Sequence, residues 1–182
     1  MHAKGKNESE AETLRSLQME GSRLGMTSVS KPDLDDISWK IVEVLQANAR
    51  ISFSELARML GLSPPAVAER VHRIEESGII EGYTARINRA VLGKPLIAFV
   101  RVTVVPARYA AFTAAVHEVP DILECHHTMG AQSYIVKVAA ASVEAIDAVI
   151  AQLGSFGTSE TSLVLSSPIP HATVLKAEYD RS

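Results

Sequence analysis

The sequence predicts an α+β protein with a helical N-terminal domain and a C-terminal domain that packs helices on a sheet. Residues 33–83 repeat apolar side chains at the spacing of amphipathic helices, whereas residues 96–167 mix β-branched stretches with helical periods. Between them, Gly93–Pro95 contains the glycine and proline that end regular structure. We therefore predict a flexible tail at 1–32, a helical domain at 33–84, a linker strand and hinge at 85–94, a mixed domain at 95–168 and a C-terminal tail at 169–182.

The composition excludes several classes of protein. With 182 residues, 47% of them hydrophobic, the chain can bury a proper core. It contains no run of 18 apolar residues, and no apolar segment follows Met1–Lys6, so we predict neither a membrane span nor a secretory signal. Cys125 is the only cysteine, so no internal disulfide can form. We expect a cytoplasmic protein with no membrane partner.

The first helix is predicted to open at Asp33, directly after Pro32. Its apolar residues recur at helical spacing and define one buried face, formed by Leu34, Ile37, Ile41, Val44 and Leu45. Trp39, the only tryptophan, lies off this face, and we expect it to pack near a domain seam.

The next two helices are predicted from their ends. Ser52 and Glu55 have the spacing of a capping box, in which the hydroxyl accepts from the amide three residues on. Gly61 suits the left-handed conformation that ends a helix, and Ser63 followed by Pro64 suits the start of the next one. Two capped helices that meet across a tight glycine turn are the signature of a helix-turn-helix.

The helix that starts at Pro64 is predicted to have one buried and one outward face. The buried face has the i, i+4, i+7 spacing and consists of Val67, Val71 and Ile74. The outward face has a small residue first and charged residues after it: Ala66, Glu69, Arg70 and Arg73. Small residues permit close approach to DNA, and arginines reach base edges or phosphates. An ordinary amphipathic helix with a solvated face gives the same pattern, and the double-capped turn before it favours DNA binding.

The charge of the chain does not by itself indicate nucleic-acid binding. The formal net charge is -3, and residues 33–92 carry seven Lys and Arg residues against nine Asp and Glu residues. Positive charge is instead concentrated locally, at Arg58, Arg70, Arg73, Arg86 and Arg89. Because one chain offers only a weak basic footprint, we expect several copies to bind DNA together, with a salt dependence that reflects several protomers.

After a wing or linker strand predicted at Tyr83–Asn88, the second domain repeats the order strand, helix, strand. This order predicts a ferredoxin-like βαββαβ fold with both helices on one face of the sheet. The predicted strands are Leu96–Val105, Ile122–Thr128, Tyr134–Ala140 and Thr161–Ser167, and the predicted helices contain Tyr109–Val116 and, after the cap Ser142, Val143–Leu153. Because Leu96–Val100 is apolar on both faces, we expect the uncovered face to pack on a second copy.

One cluster has the residue types of a metal site, Glu124–His127, which contains Cys125 and two histidines. In a strand, alternate side chains point to opposite faces, so two ligands on each face fall short of a zinc site. A cysteine beside a histidine in sequence does not create the spatial pairing that a nucleophile needs. The chain also lacks a phosphate-binding glycine loop and an HExxH motif. We therefore predict no metal, no cofactor and no catalytic residue.

The loop Thr128–Ser133 joins two predicted strands at one end of the sheet. It contains a glycine and small polar side chains, and small ligands often dock where backbone amides are left free. The pattern itself favours an ordinary β-turn, so ligand binding stays an alternative on these residues alone.

These segments together resemble the Lrp/AsnC family of leucine- and asparagine-responsive regulators. The resemblance spans Leu34 to Ser167 and rests mainly on Leu34–Ile41, Arg50–Ala57 and Gly61–Tyr83. It implies a winged helix-turn-helix domain followed by a βαββαβ regulatory domain. It also implies dimers that pair through their sheets, octamers built from dimers, and amino acids or related metabolites bound in clefts between dimers.

The resemblance further implies two sets of site residues. The DNA-facing set is Ser63, Pro65, Ala66, Arg70 and Arg73. The effector-binding set is Met129, Gly130, Ala131, Gln132, Ser133 and Tyr134. Family members often carry Gly-x-x-Asp in this loop, whereas the fourth position here is Ser133. A carboxylate pairs with an ammonium group and a hydroxyl only hydrogen-bonds, which predicts altered, weaker or absent recognition of an amino acid.

The sequence thus predicts a sequence-specific, homo-oligomeric transcription regulator that binds double-stranded DNA and senses a small metabolite. We expect that metabolite to be an amino acid. Two hypotheses from other classes stay open. One is an architectural protein that wraps DNA without an effector, which footprints lacking a defined half-site would favour. The other is a metabolic enzyme built on the ferredoxin-like domain, which turnover of amino acids would favour.

Overall fold

The computed structural model describes residues 34–176, so the predicted tail at 1–32 lies outside the described residues. The first helix was expected to start at Asp33, and it begins instead at Asp36, because the Asp35 side chain caps it. The described chain divides into two compact units. The helical unit comprises residues 34–83 and 173–176, and the sheet unit comprises residues 84–172. Within residues 34–176, no helix combines the length and apolar surface needed to cross a bilayer.

The helical unit is built from α1 (Asp36–Ala47), α2 (Phe53–Leu60) and α3 (Pro64–Glu76). The Ser52 hydroxyl accepts a hydrogen bond from the Glu55 amide at 3.1 Å, and the Ser63 hydroxyl accepts one from the Ala66 amide at 3.4 Å. Between these caps, Gly61 ends α2 with a φ of 68°, in the left-handed region that glycine adopts without strain. The predicted helix-turn-helix is therefore confirmed.

The three helices share one apolar core. Ile41 of α1, Leu56 of α2 and Val67 of α3 are fully buried in it. Trp39 is 4% exposed and belongs to the same core, so its ring is buried within the helical unit. Because both α2 and α3 contact α1, the buried surface of α1 is wider than one helical stripe, and it takes in Trp39.

The sheet unit has the element order β1 (Leu96–Val104), a short 3-10 helix (Pro106–Arg108), α4 (Tyr109–His117), β2 (Ile122–His127), β3 (Tyr134–Ala140), α5 (Val143–Gly154) and β4 (Gly157–Leu163). The sheet order is β2-β3-β1-β4, and every neighbouring pair of strands is antiparallel. This arrangement confirms the predicted ferredoxin-like βαββαβ fold.

Both helices of the sheet unit cover the same face of the sheet. Val100 and Val102 of β1 pack there with Phe112 of α4 and Leu153 of α5, and all four are fully buried. The alternate residues of β1 from Ile97 to Arg101 point to the opposite face and stay half-buried. Neither α4 nor α5 covers that open face.

The last strand was predicted at Thr161–Ser167, and the structure places β4 at Gly157–Leu163. At its start, Gly157 pairs with Val104, and a Cβ atom added there would lie 1.9 Å from the Thr103 carbonyl oxygen. This close approach of the two backbones admits only glycine at position 157. The prediction failed because β4 is an edge strand with mostly exposed polar residues, which gives no apolar alternation to detect.

The wing or linker strand predicted at Tyr83–Asn88 and within 85–94 is not formed. Residues 77–95 contain neither a helix nor a strand. A strand needs a neighbour to accept its backbone hydrogen bonds, and none of the four strands of the described chain pairs with this segment. The backbone closes a turn instead, in which the Lys94 amide donates to the Arg89 carbonyl at 2.9 Å.

Candidate nucleic-acid interface and ligand loop

The first turn of α3 is presented at the surface. Ser63 and Pro65 are exposed, and Ala66 is half-buried beside them. The Ser63 hydroxyl is engaged as the cap of the helix, so it fixes the start of α3 while its side chain stays at the surface. Pro65 and Ala66 have short side chains, which leave the helix backbone accessible to a large partner.

Arg73 extends from the last turn of α3 with a side chain that is 71% exposed. Its guanidinium forms an ion pair with Glu69, one helical turn earlier. An exposed pair of this spacing contributes only about 0.3–0.5 kcal/mol, so a phosphate or a guanine edge competes with it easily.

Arg70 is more constrained, with a side chain that is 31% exposed. Its Nη1 donates to Asp35 Oδ2 at 2.7 Å and to Ser38 Oγ at 3.2 Å. Nη2 and Nε carry the remaining N–H donors of the guanidinium. Arg70 and Arg73 border the same open cleft of about 320 Å³ between α1 and α3. Arg70 thus ties the two helices together along the edge of the outward face.

Asp35 and Ser38 were not identified from the sequence. Asp35 also caps α1, because its Oδ1 accepts from the Ser38 amide at 2.8 Å. That cap has a local signature, an aspartate three residues before its donor. The contact of Asp35 with Arg70 joins residues 35 positions apart, and no local pattern reveals it.

Asp35 gives the helical unit a pH-dependent contribution to stability. Hydrogen bonds from Ser38, and then from Arg70, lower the pKa of this carboxyl from 3.8 to about 2. A depressed folded-state pKa stabilises the folded protein above pH ~4, and the contribution is lost as the pH falls from ~4 towards ~2. Since the side chain is 52% exposed, solvent screening limits it to about 0.5–1 kcal/mol.

We expect Asp35→Asn to lower the free energy of unfolding at pH 7 by about 0.5–1 kcal/mol. Asparagine keeps the helix cap but loses the charge. Urea denaturation of both proteins at pH 7 and near pH 2.5 measures the effect, and the difference should shrink at the lower pH. A difference that is equal at both pH values would contradict the assignment of the shift to the folded state.

The loop between β2 and β3 contains the predicted effector residues. Met129, Gly130 and Ala131 are exposed, and Met129 is 81% exposed. Gly130 has a φ of 133°, which disfavours any side chain. The Gln132 carbonyl accepts from the Thr128 hydroxyl at 2.8 Å, so the loop closes on itself as a tight turn.

Ser133 ends this loop with its side chain turned towards β1. Its hydroxyl donates to the Val104 carbonyl at 3.0 Å and accepts from the Val104 amide at 3.3 Å. The Tyr109 hydroxyl lies 3.4 Å from the same oxygen. Ser133 therefore anchors the loop to the end of β1.

An aromatic group lies beneath the loop. Tyr134 is 6% exposed, and its ring lies 4.6 Å from that of Phe112 between ring centres. His127 stacks on Tyr134 at 4.7 Å, and Tyr109 meets both rings edge-on at 4.9 and 5.4 Å. Of the predicted effector residues, Tyr134 is thus the one placed in the core, where it supports the loop.

The Glu124–His127 cluster is divided between the two faces of the sheet, as the strand period predicts. On the open face, Glu124 binds Lys137 at 2.7 Å, and this hydrogen bond holds the pKa of the Glu124 carboxyl below its ordinary value. On the helix-covered face, burial raises the pKa of the Cys125 thiol, which disfavours the thiolate. Across residues 34–176, no group of three or more potential metal ligands is assembled.

Two family models match the chain. Residues 34–75 match the AsnC-type helix-turn-helix domain, and residues 97–174 match the Lrp/AsnC ligand binding domain. Among curated proteins, the HTH-type transcriptional regulator LrpC of Bacillus subtilis is 36% identical over 133 residues, which cover 73% of this chain and 92% of LrpC. The leucine-responsive regulatory protein of Salmonella typhimurium is 42% identical over 108 residues, which cover 58% of this chain and 66% of that protein.

Solved structures agree with these matches. The structure of Bacillus subtilis LrpC superposes with a TM-score of 0.73 at 34% identity and covers 77% of this chain and 100% of its own. The transcriptional regulator NMB0573 of Neisseria meningitidis, solved as a complex with L-Met, superposes with a TM-score of 0.72 at 30% identity. It covers 81% of this chain and 99% of its own.

Proposed function

Because the chain belongs to the Lrp/AsnC family of helix-turn-helix transcriptional regulators with a ligand-binding domain, we propose that it is a sequence-specific, homo-oligomeric regulator whose DNA binding responds to a small metabolite. The observation that carries the proposal is the double-capped α3, which presents an exposed N-terminus and an exposed arginine. A matched ligand-binding domain on the same chain supports the sensing step.

The proposed DNA face consists of Ser63, Pro65, Ala66, Arg70 and Arg73. In this proposal α3 enters the major groove, where its short first residues allow close approach and Arg73 reaches a base edge or a phosphate. Arg70 contacts a phosphate with Nη2 or Nε while Asp35 and Ser38 retain Nη1. The existing contacts thus orient the guanidinium before DNA arrives.

The proposed assembly is a dimer formed through the open face of the sheet, with octamers built from dimers. The half-buried apolar residues on that face, including Ile97 and Phe99, support a second copy as the cover. A dimer would present two copies of α3 to successive major grooves, about 34 Å apart along DNA. It would also double the basic footprint of a chain whose net charge is -3.

The proposed effector is an amino acid or a related metabolite, bound at the loop from Met129 to Tyr134 with no further cofactor. Exposed backbone around Gly130 offers hydrogen-bond partners to a carboxylate or ammonium group. A structural relative solved with L-Met makes methionine a rational first probe. Effector binding would then bias one assembly over another and shift DNA affinity.

Ser133→Ala is expected to weaken the response to an amino acid about fivefold or more and to leave DNA affinity without ligand unchanged. The hydroxyl anchors the loop to Val104 through two hydrogen bonds, and each such bond contributes about 1 kcal/mol. Isothermal titration with L-methionine and the other amino acids, beside DNA titrations, measures both quantities. Gln152→Ala, an exposed change on α5, is the control. Equal ligand responses in wild type and Ser133→Ala would remove the loop assignment.

Two measurements test the proposed function as a whole. Footprinting on genomic fragments should reveal protected half-sites one helical turn apart, which then define an operator duplex for later titrations. Light scattering with and without a panel of amino acids should show a change of assembly. Protection that spreads without a half-site would favour the architectural hypothesis, and turnover of an amino acid would favour the enzyme.

A further inference from the structure

The last described residues of the chain, Thr173–Lys176, belong to the helical unit and not to the sheet unit that precedes them. Gln46, in the last turn of α1, makes two hydrogen bonds to one residue of this segment. Its Nε2 donates to the Val174 carbonyl at 3.0 Å, and its Oε1 accepts from the Val174 amide at 2.8 Å. Lys176 forms an ion pair with Asp36 in the first turn of α1. The segment is therefore held at two separate points on one helix.

The contacts at Gln46 and Asp36 together determine which kind of segment can bind to α1. A side-chain amide that pairs with both the N–H and the C=O of one residue selects an extended backbone, as a neighbouring strand does. The ion pair also fixes the direction of the segment along α1, because it requires a cationic side chain two residues after Val174. Asp36 and Gln46 lie about 15 Å apart along the helix, so the bound segment runs along the surface of α1. The hydrogen bond from Lys176 also holds the pKa of the Asp36 carboxyl below its ordinary value.

We propose that Thr173–Lys176 form a C-terminal brace on α1 through which the sheet unit controls the helical unit. The chain passes between the units twice, at Tyr83–Thr84 and at Ala172–Thr173. With the brace docked, the helical unit is attached to the sheet unit by two segments, and with the brace released it is attached by one. A second attachment restricts the orientations of the helical unit and lowers the entropy lost when paired α3 helices enter DNA.

The brace also lies next to the contacts that hold α3. Asp36 forms an ion pair with Lys176, and the adjacent Asp35 forms an ion pair with Arg70 of α3. Exposed hydrogen bonds and exposed ion pairs are individually weak, so the brace opens and closes readily. A weak contact of this kind is suited to regulation, because a small change in the sheet unit is enough to shift it. The effect on DNA affinity rests on the proposed function, whereas the docking itself does not.

Hydrogen exchange at the Val174 amide in the full-length protein tests the docking. Gln46→Ala removes both hydrogen bonds to Val174, so it should accelerate exchange at this amide at least about fivefold, and the control Gln152→Ala should not. Lys176→Glu should act in the same direction, and adding Asp36→Lys to it should restore slow exchange. Unchanged exchange in Gln46→Ala would overturn the brace. Exchange that accelerates on dilution of the wild type would assign the segment to a second copy and overturn docking within one chain.

Titration of the footprinted operator duplex tests the coupling. Gln46→Ala should lower the affinity about threefold, with the assembly unchanged by light scattering and with Gln152→Ala at the wild-type value. Faster exchange combined with unchanged DNA affinity would reject control of DNA binding by the brace. If footprinting with the wild type revealed no protected duplex, the proposed function would fail, and the exchange experiment alone would decide whether the brace exists.

Discussion

Arg73→Ala is expected to weaken binding to the operator duplex by at least one order of magnitude. Arg73 is the exposed arginine of α3, and a contact between an arginine and a base edge contributes about 1–3 kcal/mol. In a dimer both copies lose the contact, so the loss is about 2–6 kcal/mol if the two sites act independently. Arg70→Ala is expected to lower affinity as well, and the double variant should abolish specific binding. Fluorescence anisotropy at several salt concentrations measures these losses.

The salt dependence separates the roles of the two arginines. If Arg70 contacts a phosphate, Arg70→Ala should reduce the slope of log affinity against log salt by about one for each protomer. Asp35→Asn should keep that slope, because the guanidinium remains and loses only its orienting partner. Arg70→Ala also removes an exposed ion pair, so its unfolding free energy should fall by no more than about 1 kcal/mol.

The matched control is Arg108→Ala, which removes the same charge from the sheet unit. The Arg108 guanidinium donates to the Ser155 carbonyl at 2.7 Å and lies over the Phe156 ring. We expect Arg108→Ala to bind the operator with wild-type affinity. Light scattering should show the same oligomer for Arg70→Ala, Arg73→Ala and Arg108→Ala as for the wild type. Operator affinity that stayed at the wild-type value in both Arg70→Ala and Arg73→Ala would reject the proposed DNA face.

The helix-turn-helix was predictable because its determinants are local. Ser52 and Ser63 cap helices through amides three residues away, and Gly61 takes a left-handed φ that its own lack of a side chain permits. The buried spacing of α3 also follows from one helical period. Both partners of such an interaction lie within four residues of each other, so their spacing in the sequence predicts the contact.

Contacts between distant segments were not predictable from local patterns. The Arg70 guanidinium was expected on the outward face, and its hydrogen bonds to Asp35 and Ser38 join two helices far apart in sequence. The contact between Gln46 and Val174 joins residues 128 positions apart. Such pairs depend on how the elements pack, and the residue types involved are common on any exposed helix.

The loop between β2 and β3 is a third case. The chemical character of its residues was predictable from the sequence, but the direction in which their side chains point was not. Ser133 was singled out because a hydroxyl replaces a carboxylate there, and that chemistry follows from the sequence alone. The direction of the hydroxyl, towards Val104, depends on where β1 ends relative to β3. Strand register across residues 96–140 is a tertiary property that one side chain does not specify.

Phe112→Ala is expected to destabilise the sheet unit by about 3–5 kcal/mol, which is a large part of the stability of a domain of this size. Phe112 is fully buried where α4 packs on the sheet, and its ring lies 4.6 Å from Tyr134 and 5.7 Å from Phe156 between ring centres. Truncation leaves a cavity that these rings fill only partly. Urea denaturation followed by circular dichroism measures the loss.

The position of that cavity makes the variant informative about the ligand loop. Tyr134 carries the loop at its C-terminal end, and Tyr109 and His127 pack against the same ring. We therefore expect Phe112→Ala to weaken amino-acid binding at temperatures where the protein is still folded. Phe53→Ala makes the same chemical change at a site that is 45% exposed, and it should change unfolding by less than about 1 kcal/mol and leave ligand binding unaffected. Unchanged amino-acid binding by the folded Phe112→Ala protein would show that the aromatic group does not support the loop. Equal destabilisation in the two variants would contradict the predicted effect of burial on stability.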